Sequence, residues 1–357
     1  MQPTIHDDLR CSECLIGWSR CHDCDAYTPA ATAVVDLGDV CESCAEDYSS
    51  CDYCGRHAAD RFSVDSGDEV CSDCRSEHYR ECDDCTVLVL KDETYCSDCA
   101  EDHAPTHPDV LDYDEKPTPR FHGNGPLFLG LELEIITTHN DFYDAVDTAI
   151  EHLVDLAYLK QDDSIKPCGF ELVTHPMSYH YALRHFPWPL LDKLHGLDCK
   201  TDTSVGLHIH LSRTGFSGPA HTFRWLKFVY RNQFPVTALA RRSSPEWAEF
   251  SRQSRARAAA HAKGEREPAA EARRSVAVNA NPEHTFELRV FASSLDAQQV
   301  QAALGFAQAS VEYTRGLRVT DIIHHRGWEW DAFTAWVRAR PDYAGLLAEM
   351  QDLACAS

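Results

Sequence analysis

Apolar and polar residues alternate along four short stretches of this chain. Successive side chains of a β-strand point to opposite faces, so each stretch predicts a strand with one apolar and one polar face. The stretches are Gly130–Glu134 (GLELE), Phe170–Pro176 (FELVTHP), Gly206–His210 (GLHIH) and Phe286–Phe291 (FELRVF). Their polar faces would carry Glu132, Glu134, Glu171, His208, His210, Glu287 and Arg289.

A single stretch of this kind is typical of a half-buried strand with one face in water. Four such stretches in one chain argue against this simple interpretation, because glutamate is a poor strand former and yet lies inside three of these apolar runs. Carboxylates, imidazoles and a guanidinium on one face indicate a pocket for metal and phosphate more than an ordinary solvated surface.

Helical spacing appears elsewhere. Residues 141–160 place Phe142, Val146, Ile150 and Leu153 on one face, and further helices are predicted at 177–195, 219–242 and 296–316. Residues 251–275 are rich in Ala, Arg and Glu, which predicts an exposed helix or a mobile flap.

Charge is unevenly distributed along the 357 residues, whose formal net charge is −24. Residues 1–116 hold 29 acidic and 8 basic residues, and this acidity disfavours a nucleic-acid partner. The sequence shows neither a signal peptide nor an apolar run of membrane-spanning length. We therefore expect a cytoplasmic protein without a membrane partner.

Cysteine defines the first hundred residues. Fourteen of the 17 cysteines form seven Cys-x-x-Cys pairs. In a reducing compartment this recurring spacing predicts structural zinc ligands, not disulfides. The pairs begin at Cys11, Cys21, Cys41, Cys51, Cys71, Cys82 and Cys96 and end at Cys14, Cys24, Cys44, Cys54, Cys74, Cys85 and Cys99.

An internal repeat suggests how the pairs combine. Three blocks run pair, spacer, pair, with spacers of 16, 16 and 10 residues, and each is followed by a polar, helix-like tail. This predicts three treble-clef or LIM-like fingers at Cys21–Cys44, Cys51–Cys74 and Cys82–Cys99. A shifted or interleaved pairing stays open. Cys11 and Cys14 resemble the closing pair of a further repeat, either without metal or with His6 or His22 as an added ligand.

These features predict three segments. Residues 1–102 form a zinc-binding array, the proline-rich acidic residues 103–126 form a linker, and residues 127–350 form a catalytic domain.

Five motifs in the second half resemble the amidoligase family of carboxylate–amine ligases, which is related to glutamine synthetase and glutamate–cysteine ligase. They are GLELE, GFELVTHPMS, GLHIHLSR, KFVYRN with ALARR, and AVNAN with TFELRVF. The similarity spans roughly residues 127–317. It implies an α+β fold, in which helices flank a curved antiparallel sheet that binds ATP and a divalent metal.

The resemblance also implies roles. Glu132, Glu134, Glu171 and Glu287 would surround two or more Mg²⁺ ions, and His208 and His210 would complete a metal site or bind phosphate. Arg289 would face the transferred phosphoryl group or the substrate carboxylate, with Arg241 and Arg242 as weaker candidates. Asn279 would contact nucleotide or substrate.

The sequence departs from the family at two places. The family's Asp-Gly-Ser step is Asp162-Asp163-Ser164 here, and Phe291 is followed by Ala-Ser-Ser where a basic residue is common. The expected function is ATP-dependent formation of an amide or isopeptide bond on a peptide, protein or amino acid.

Two other functions stay open on the sequence. A zinc hydrolase would use the His-x-His pair with a glutamate, and would need neither Arg289 nor nucleotide. A non-catalytic adaptor would bind a protein partner through the zinc array and carry an inactive ligase scaffold.

Overall fold

The chain forms two compact units, Met1–Ala104 and Pro105–Ser357. The structure, a computed structural model, describes residues 1–6, 8–103, 105–243, 247–266, 275–324 and 326–356.

The first unit is built from two-stranded hairpins and short helices. Its elements are β1 (Gln2–Pro3), β2 (Leu9–Arg10), β3 (Ser19–Arg20), β4 (Tyr27–Thr28), β5 (Ala31–Val34), β6 (Gly38–Cys41), α1 (Glu42–Ala45), β7 (Arg61–Ser63), β8 (Glu69–Cys71), α2 (Ser72–His78), β9 (Tyr79–Glu81), β10 (Leu88–Leu90) and α3 (Ser97–Asp102). The hairpins pair β1 with β2, β3 with β4, β5 with β6, β7 with β8, and β9 with β10.

Each finger follows the same path. Its first cysteine pair lies in a tight turn, and its second pair begins at the residue that precedes a helix: Cys41 before α1, Cys71 before α2 and Cys96 before α3. The apolar residues that each finger can bury are few, with Val70 and Leu88 among those of the middle cluster. Units with so small a core generally need metal or disulfides to stay folded.

The second unit is a mixed α/β domain. Its strands are β11 (Val110–Leu111), β12 (Leu129–Thr137), β13 (Ala157–Lys160), β14 (Cys168–Thr174), β15 (Gly206–Ser212), β16 (Val278–Asn279) and β17 (Thr285–Ala292). Its helices are α4 (Phe142–Leu153), α5 (Tyr179–His185), α6 (Pro189–Gly196), α7 (Pro219–Arg231), α8 (Gln233–Leu239), α9 (Arg252–Ala262), α10 (Ala297–Gly316), α11 (Val319–His324), α12 (Trp330–Arg338) and α13 (Ala344–Ala356).

The seven strands form one sheet in the order β11-β13-β14-β12-β15-β17-β16. All neighbours are antiparallel except β11 and β13. The apolar face of the sheet carries fully buried residues such as Leu133, Leu172 and Ile209, which belong to the main hydrophobic core. Helix α10 lies over this core and contacts α7, α13, β12 and β15.

The four strands predicted from alternation are confirmed as β12, β14, β15 and β17. The helix predicted at 141–160 is wrong in its last part: α4 ends at Leu153, and Ala157–Lys160 forms β13. The helix predicted at 177–195 divides into α5 and α6, because Pro187 lies between them and cannot continue a helix. Of residues 251–275, Arg252–Ala262 are helical, while 267–274 lie outside the described residues.

Residues 105–126, which the sequence predicts as a linker, are grouped with the second unit. Val110 is buried, and β11 adds an edge strand to the sheet beside β13. The apolar pair Val110-Leu111 explains this, because it can be buried on the sheet despite the surrounding prolines. Among the described residues, no helix is both long enough and apolar enough to cross a bilayer.

Candidate functional site

The register of the sheet places the polar residues beside one another. Glu132 of β12 lies opposite His208 of β15, and Glu134 of β12 lies opposite Glu171 of β14. On the other side of β15, His210 lies opposite Glu287 of β17. Directly opposed residues on neighbouring strands have adjacent side chains. The predicted polar faces therefore form one continuous surface across four strands.

The imidazoles lie among the carboxylates. His210 Nε2 is 3.1 Å from Glu132 Oε1, and His208 Nδ1 is 3.6 Å from Glu132 Oε2. His208 Nε2 is 3.6 Å from Glu134 Oε1, and its Nδ1 is 3.8 Å from Glu287 Oε1. Glu132 is thus shared by both imidazoles, and it lies at the centre of the cluster.

Fixed neighbours orient the outer glutamates. The backbone N–H of Gly206 donates to Glu134 Oε2 at 2.5 Å. The side-chain amide of Asn279 donates to Glu287 Oε2 at 2.7 Å, and Arg289 donates to the other oxygen of Glu287. These contacts hold both carboxylates in one orientation before any ligand binds.

Burial and neighbouring charges give these carboxyl groups different pKa values. Burial raises the pKa of Glu171 to about 8, and the nearby Glu132 charge adds to the effect. Burial likewise raises the pKa of Glu134. Burial also opposes the charge of Glu132, but the neighbouring His210 and His208 hold its pKa well below its usual range. Several carboxylates in one buried cluster need added positive charge to be ionised together.

The pKa values of His210 and Glu287 are shifted in opposite directions. Burial opposes a charge on His210, but the neighbouring Glu132 raises its pKa to about 9. Burial opposes a charge on Glu287 as well, yet His210 and Arg289 lower its pKa.

Some of these side chains have ligand atoms close enough to hold a cation. Glu132, Glu171 and His208 form one such set, and Glu132, His210 and Glu287 form another, with all ligand atoms of a set within 4.8 Å of one another. Carboxylate oxygens dominate both sets, which suits Mg²⁺. Glu132 belongs to both sets.

Cationic side chains surround the acidic cluster. Lys160 lies opposite Glu171 in the sheet and is only 7 % exposed, with its Nζ 5.1 Å from the centre of the Tyr113 ring. Arg242 is 6 % exposed, and its Nε has no hydrogen-bond partner among the described residues. Burial lowers the pKa of Arg242. Buried cations beside an open cavity indicate an anionic ligand.

These groups all line one cavity of about 950 Å³. Its walls include the predicted residues Glu132, Glu134, Glu171, His208, His210, Asn279, Glu287 and Arg289. They also include Asp162 and Ser164 of the Asp-Asp-Ser step, and residues that the motifs did not indicate, among them Tyr113, Asp114, Lys116, Lys160 and Trp247. The volume is sufficient for a nucleotide-sized ligand.

Arg241, one of the proposed phosphate contacts, lies elsewhere. Its φ is +52°, and its Nε donates to Glu349 Oε1 of α13 at 2.6 Å. The left-handed backbone at Arg241 turns the two consecutive arginines apart, so Arg242 lines the cavity and Arg241 does not.

The altered Asp162-Asp163-Ser164 step keeps a compact turn. Asp162 Oδ1 accepts hydrogen bonds from the backbone N–H and the hydroxyl of Ser164, at 2.9 and 2.6 Å. Asp162 lines the cavity, whereas Asp163 is exposed. The extra charge of this sequence therefore faces solvent.

In the first unit, the sulfur atoms form three groups of four. Each group brings its four sulfurs within 4.8 Å of one another: Cys21, Cys24, Cys41 and Cys44; Cys51, Cys54, Cys71 and Cys74; Cys82, Cys85, Cys96 and Cys99. This is the pairing predicted from the repeat, and such groups can hold tetrahedral zinc.

Backbone N–H groups support this chemistry. The N–H of Cys71 donates to Cys51 Sγ, and the N–H of Cys96 donates to Cys82 Sγ, both at 3.3 Å. Burial alone would raise the pKa of Cys82, but such N–H donors lower it to about 6. A thiol that ionises at neutral pH is ready to bind metal.

Comparison with known proteins adds little. No protein-family model matches the chain, and no curated protein matches it. Twelve chains of solved structures match it. One is a bifunctional glutathione synthetase from Pasteurella multocida, with 11% sequence identity and a TM-score of 0.29, covering 64% of this chain and 46% of that chain.

The chain thus spans under half the length of that glutathione synthetase. At this TM-score the likeness carries no argument about fold or activity. The similarity to the amidoligase family rests on the motifs alone and stays a prediction.

Proposed function

We propose that the second unit is an ATP-dependent carboxylate–amine ligase that forms an amide or isopeptide bond through an acyl phosphate. The observation that carries the proposal is the composition of one cavity. Four carboxylates and two imidazoles from four strands line it together with the buried cations Lys160 and Arg242 and the half-buried Arg289. A polyphosphate with bound Mg²⁺ matches this alternation of acidic and basic groups.

The chemistry explains why both kinds of group are needed. A carboxylate is not electrophilic, so an amine does not attack it in water. In the first step a carboxylate oxygen of the substrate bonds to the γ-phosphorus of ATP, and the bond between that phosphorus and the β,γ-bridging oxygen breaks. In the second step the amine bonds to the acyl carbon, inorganic phosphate leaves with one former carboxylate oxygen, and the amine loses a proton.

The side chains of the site would position and neutralise these groups. Glu132, shared by both cation sets, would hold two Mg²⁺ ions together with Glu171, Glu287 and the two imidazoles. When bound, Mg²⁺ would neutralise the phosphate oxygens and orient the γ-phosphoryl group. Arg289 is held against Glu287 at the cavity wall, where its planar guanidinium would meet the transferred phosphoryl group or the acid.

Two further cations complete this scheme: Arg242, which lies in one of the sequence motifs, and Lys160, which lies in none of them. Both are buried cations at the cavity wall. We assign them to the anionic groups of the nucleotide and the acid substrate. The acid and amine are proposed to be a peptide, a protein or an amino acid.

Nucleotide binding tests this proposal first. Protein purified gently, without chelator, is analysed for bound nucleotide, and the binding of ATP is then measured by calorimetry with and without Mg²⁺. We expect Mg²⁺-dependent binding that Lys160→Met weakens by about tenfold or more, because a buried charge-assisted contact is lost. Lys193→Met, at an exposed side chain of α6, is the matched control.

The two competing functions predict other results. An adaptor with an inactive scaffold would not turn over ATP with any acid and amine. A zinc hydrolase would cleave its substrate without nucleotide, and zinc at His208 and His210 would support that activity. Either result would remove the ligase proposal.

For the first unit we propose structural zinc in the three four-cysteine groups. The array would then be a rigid module that binds a protein partner or presents a protein substrate to the ligase. Its acidity favours a basic partner surface.

A further inference from the structure

Residues 1–20 repeat the second half of a finger. Cys11 lies ten residues before Cys21, as Cys41 lies ten residues before Cys51. The hairpin β1–β2 leads directly into Cys11, as the hairpin β5–β6 leads into Cys41. By spacing and by structure, Cys11 and Cys14 occupy the place of a closing pair.

This half finger also joins the array as the complete fingers do. The backbone N–H of Ile5 donates to the carbonyl of Tyr27 at 3.1 Å. The equivalent bonds between the next fingers run from Val35 to His57 at 2.8 Å and from Asp65 to Leu88 at 2.9 Å. The half finger is therefore a regular member of the stack and not a loose terminus.

Its cysteines differ from the others in their surroundings. The Sγ atoms of Cys11 and Cys14 lie 3.5 Å apart, and both residues are exposed. Within residues 1–20, Cys11 and Cys14 are the two cysteines. Two thiolates at this spacing supply half of a tetrahedral Cys₄ set.

The surface around the pair is apolar where the other fingers are polar. Leu9 is 61 % exposed and occupies the position of Asp39 in the next finger. Ile16 is 81 % exposed and occupies the position of Glu46. Exposed apolar side chains beside an incomplete metal site indicate a surface that a protein covers.

Charge favours association at this end. Residues 1–20 hold three acidic and two basic residues, whereas residues 21–104 hold 22 acidic and five basic residues. Two copies of this chain would repel each other along the rest of the array but not at residues 1–20.

We propose that Cys11 and Cys14 bind one zinc ion together with Cys11 and Cys14 of a second copy of this chain. A two-fold contact brings the same patch of both copies together, so it completes the Cys₄ set that each complete finger already has. The same contact would bury Leu9 and Ile16 of both copies. The result is a zinc-bridged dimer whose metal site neither copy contains alone.

Zinc content and molecular mass, measured together on the full chain in reducing buffer, test the proposal. With zinc in the three fingers and one shared ion, we expect about 3.5 zinc ions per chain in a dimer. Cys11→Ser with Cys14→Ser should give a monomer with about 3 ions per chain, and this remaining zinc shows that the other fingers are folded. Ser12→Ala, in the same turn, should leave both the ratio and the mass unchanged.

A second variant keeps the thiols and removes the apolar contact. Leu9→Glu with Ile16→Glu should weaken dimerisation by about tenfold or more, because four carboxylates would enter the interface. Zinc bound by monomers at about 4 ions per chain would assign the remaining ligands to one chain, with His6 or His22 among them, and would overturn the proposal. A monomeric native protein, or a dimer that survives loss of both cysteines, would overturn it as well.

Discussion

Glu134 and Glu287 each combine a buried carboxylate with a fixed hydrogen-bond donor. Gly206 holds the first and Asn279 holds the second. Replacing either with glutamine removes a negative charge while keeping the volume and one acceptor oxygen. The two positions therefore separate a role in catalysis from a role in folding.

We predict that Glu134→Gln and Glu287→Gln each lower ATP-dependent turnover at least about 100-fold, because the charge that balances the metal is lost. The melting temperature should stay near that of the native protein. The exposed Glu283→Gln is the matched control and should be fully active. Native activity and magnesium dependence in Glu134→Gln would show that this face of β12 has no part in the reaction.

At this scale the sequence predicts the acidic residues better than the basic ones. Alternation reveals Glu132 and Glu134 because both lie in a strand with regular period. It does not reveal Lys160, because the helical pattern of 141–160 hides the short strand β13. It does not decide between Arg241 and Arg242, because the left-handed backbone at Arg241 is set by the fold around it.

Strand β12 shows how one element serves both faces of the sheet. Leu133 is fully buried between Glu132 and Glu134 and belongs to the main core. We predict that Leu133→Asp destabilises the second unit by more than about 3 kcal/mol, because it buries an unpaired charge.

Chemical denaturation of this variant checks the prediction. Leu133→Met, which conserves volume, should cost less than about 1.5 kcal/mol. A Leu133→Asp protein with native stability would mean that residue 133 does not face the core.

Helix α7 carries a buried histidine with a defined hydrogen-bond pattern. The N–H of Ser217 donates to His221 Nδ1 at 3.1 Å, and His221 Nε2 donates to the carbonyl of Val311 at 2.9 Å. Burial lowers the pKa of His221 from its ordinary value of 6.5 to about 4. A proton on Nδ1 would also break the bond from Ser217.

Between these two pKa values the unfolded chain binds a proton that the folded chain does not. The contribution of neutral His221 to stability is therefore complete above pH 6.5 and is lost as the pH falls from 6.5 towards 4. We predict that His221→Gln reduces the pH dependence of unfolding in this window, by up to about 1.4 kcal/mol per pH unit. Denaturation at several pH values measures this pH dependence. His284→Gln, at an exposed histidine, should leave the change in unfolding free energy with pH as it is in the native protein.

Among the elements, the four alternating strands can be predicted from the sequence, because each buries one face and its apolar residues therefore recur at every second position. The edge strand β11 is not, because two apolar residues among prolines give no period. The strand matters for the cavity, because Tyr113, Asp114 and Lys116 follow it directly in the chain and line the cavity wall. A truncation that removes the array should therefore end near residue 104 and not near residue 116.

At the scale of the whole molecule, the repeated order of pair, spacer and pair predicts the four sulfurs that meet in each finger, whereas the spacing alone leaves a shifted pairing open. It does not predict the hydrogen bonds that stack one finger on the next, because these are made by backbone groups. Each finger has few apolar residues, so we expect metal binding to supply most of its folding energy.

We predict that Cys51→Ser with Cys54→Ser removes about one zinc ion per chain and unfolds mainly the middle finger. Metal analysis and hydrogen exchange measure the two effects, and the second unit should keep its melting temperature. Fewer than about two zinc ions in the folded native protein would mean that the pairing is wrong.

The fate of the oxygen atoms of the acid distinguishes the proposed reaction from its alternatives. An acid substrate with heavy oxygen in its carboxylate is incubated with the amine, ATP and Mg²⁺, and the products are analysed by mass spectrometry. The acyl-phosphate path predicts one new amide bond for each ADP formed, with one labelled oxygen in inorganic phosphate. Label in AMP, or amide formation without consumption of ATP, would contradict the account.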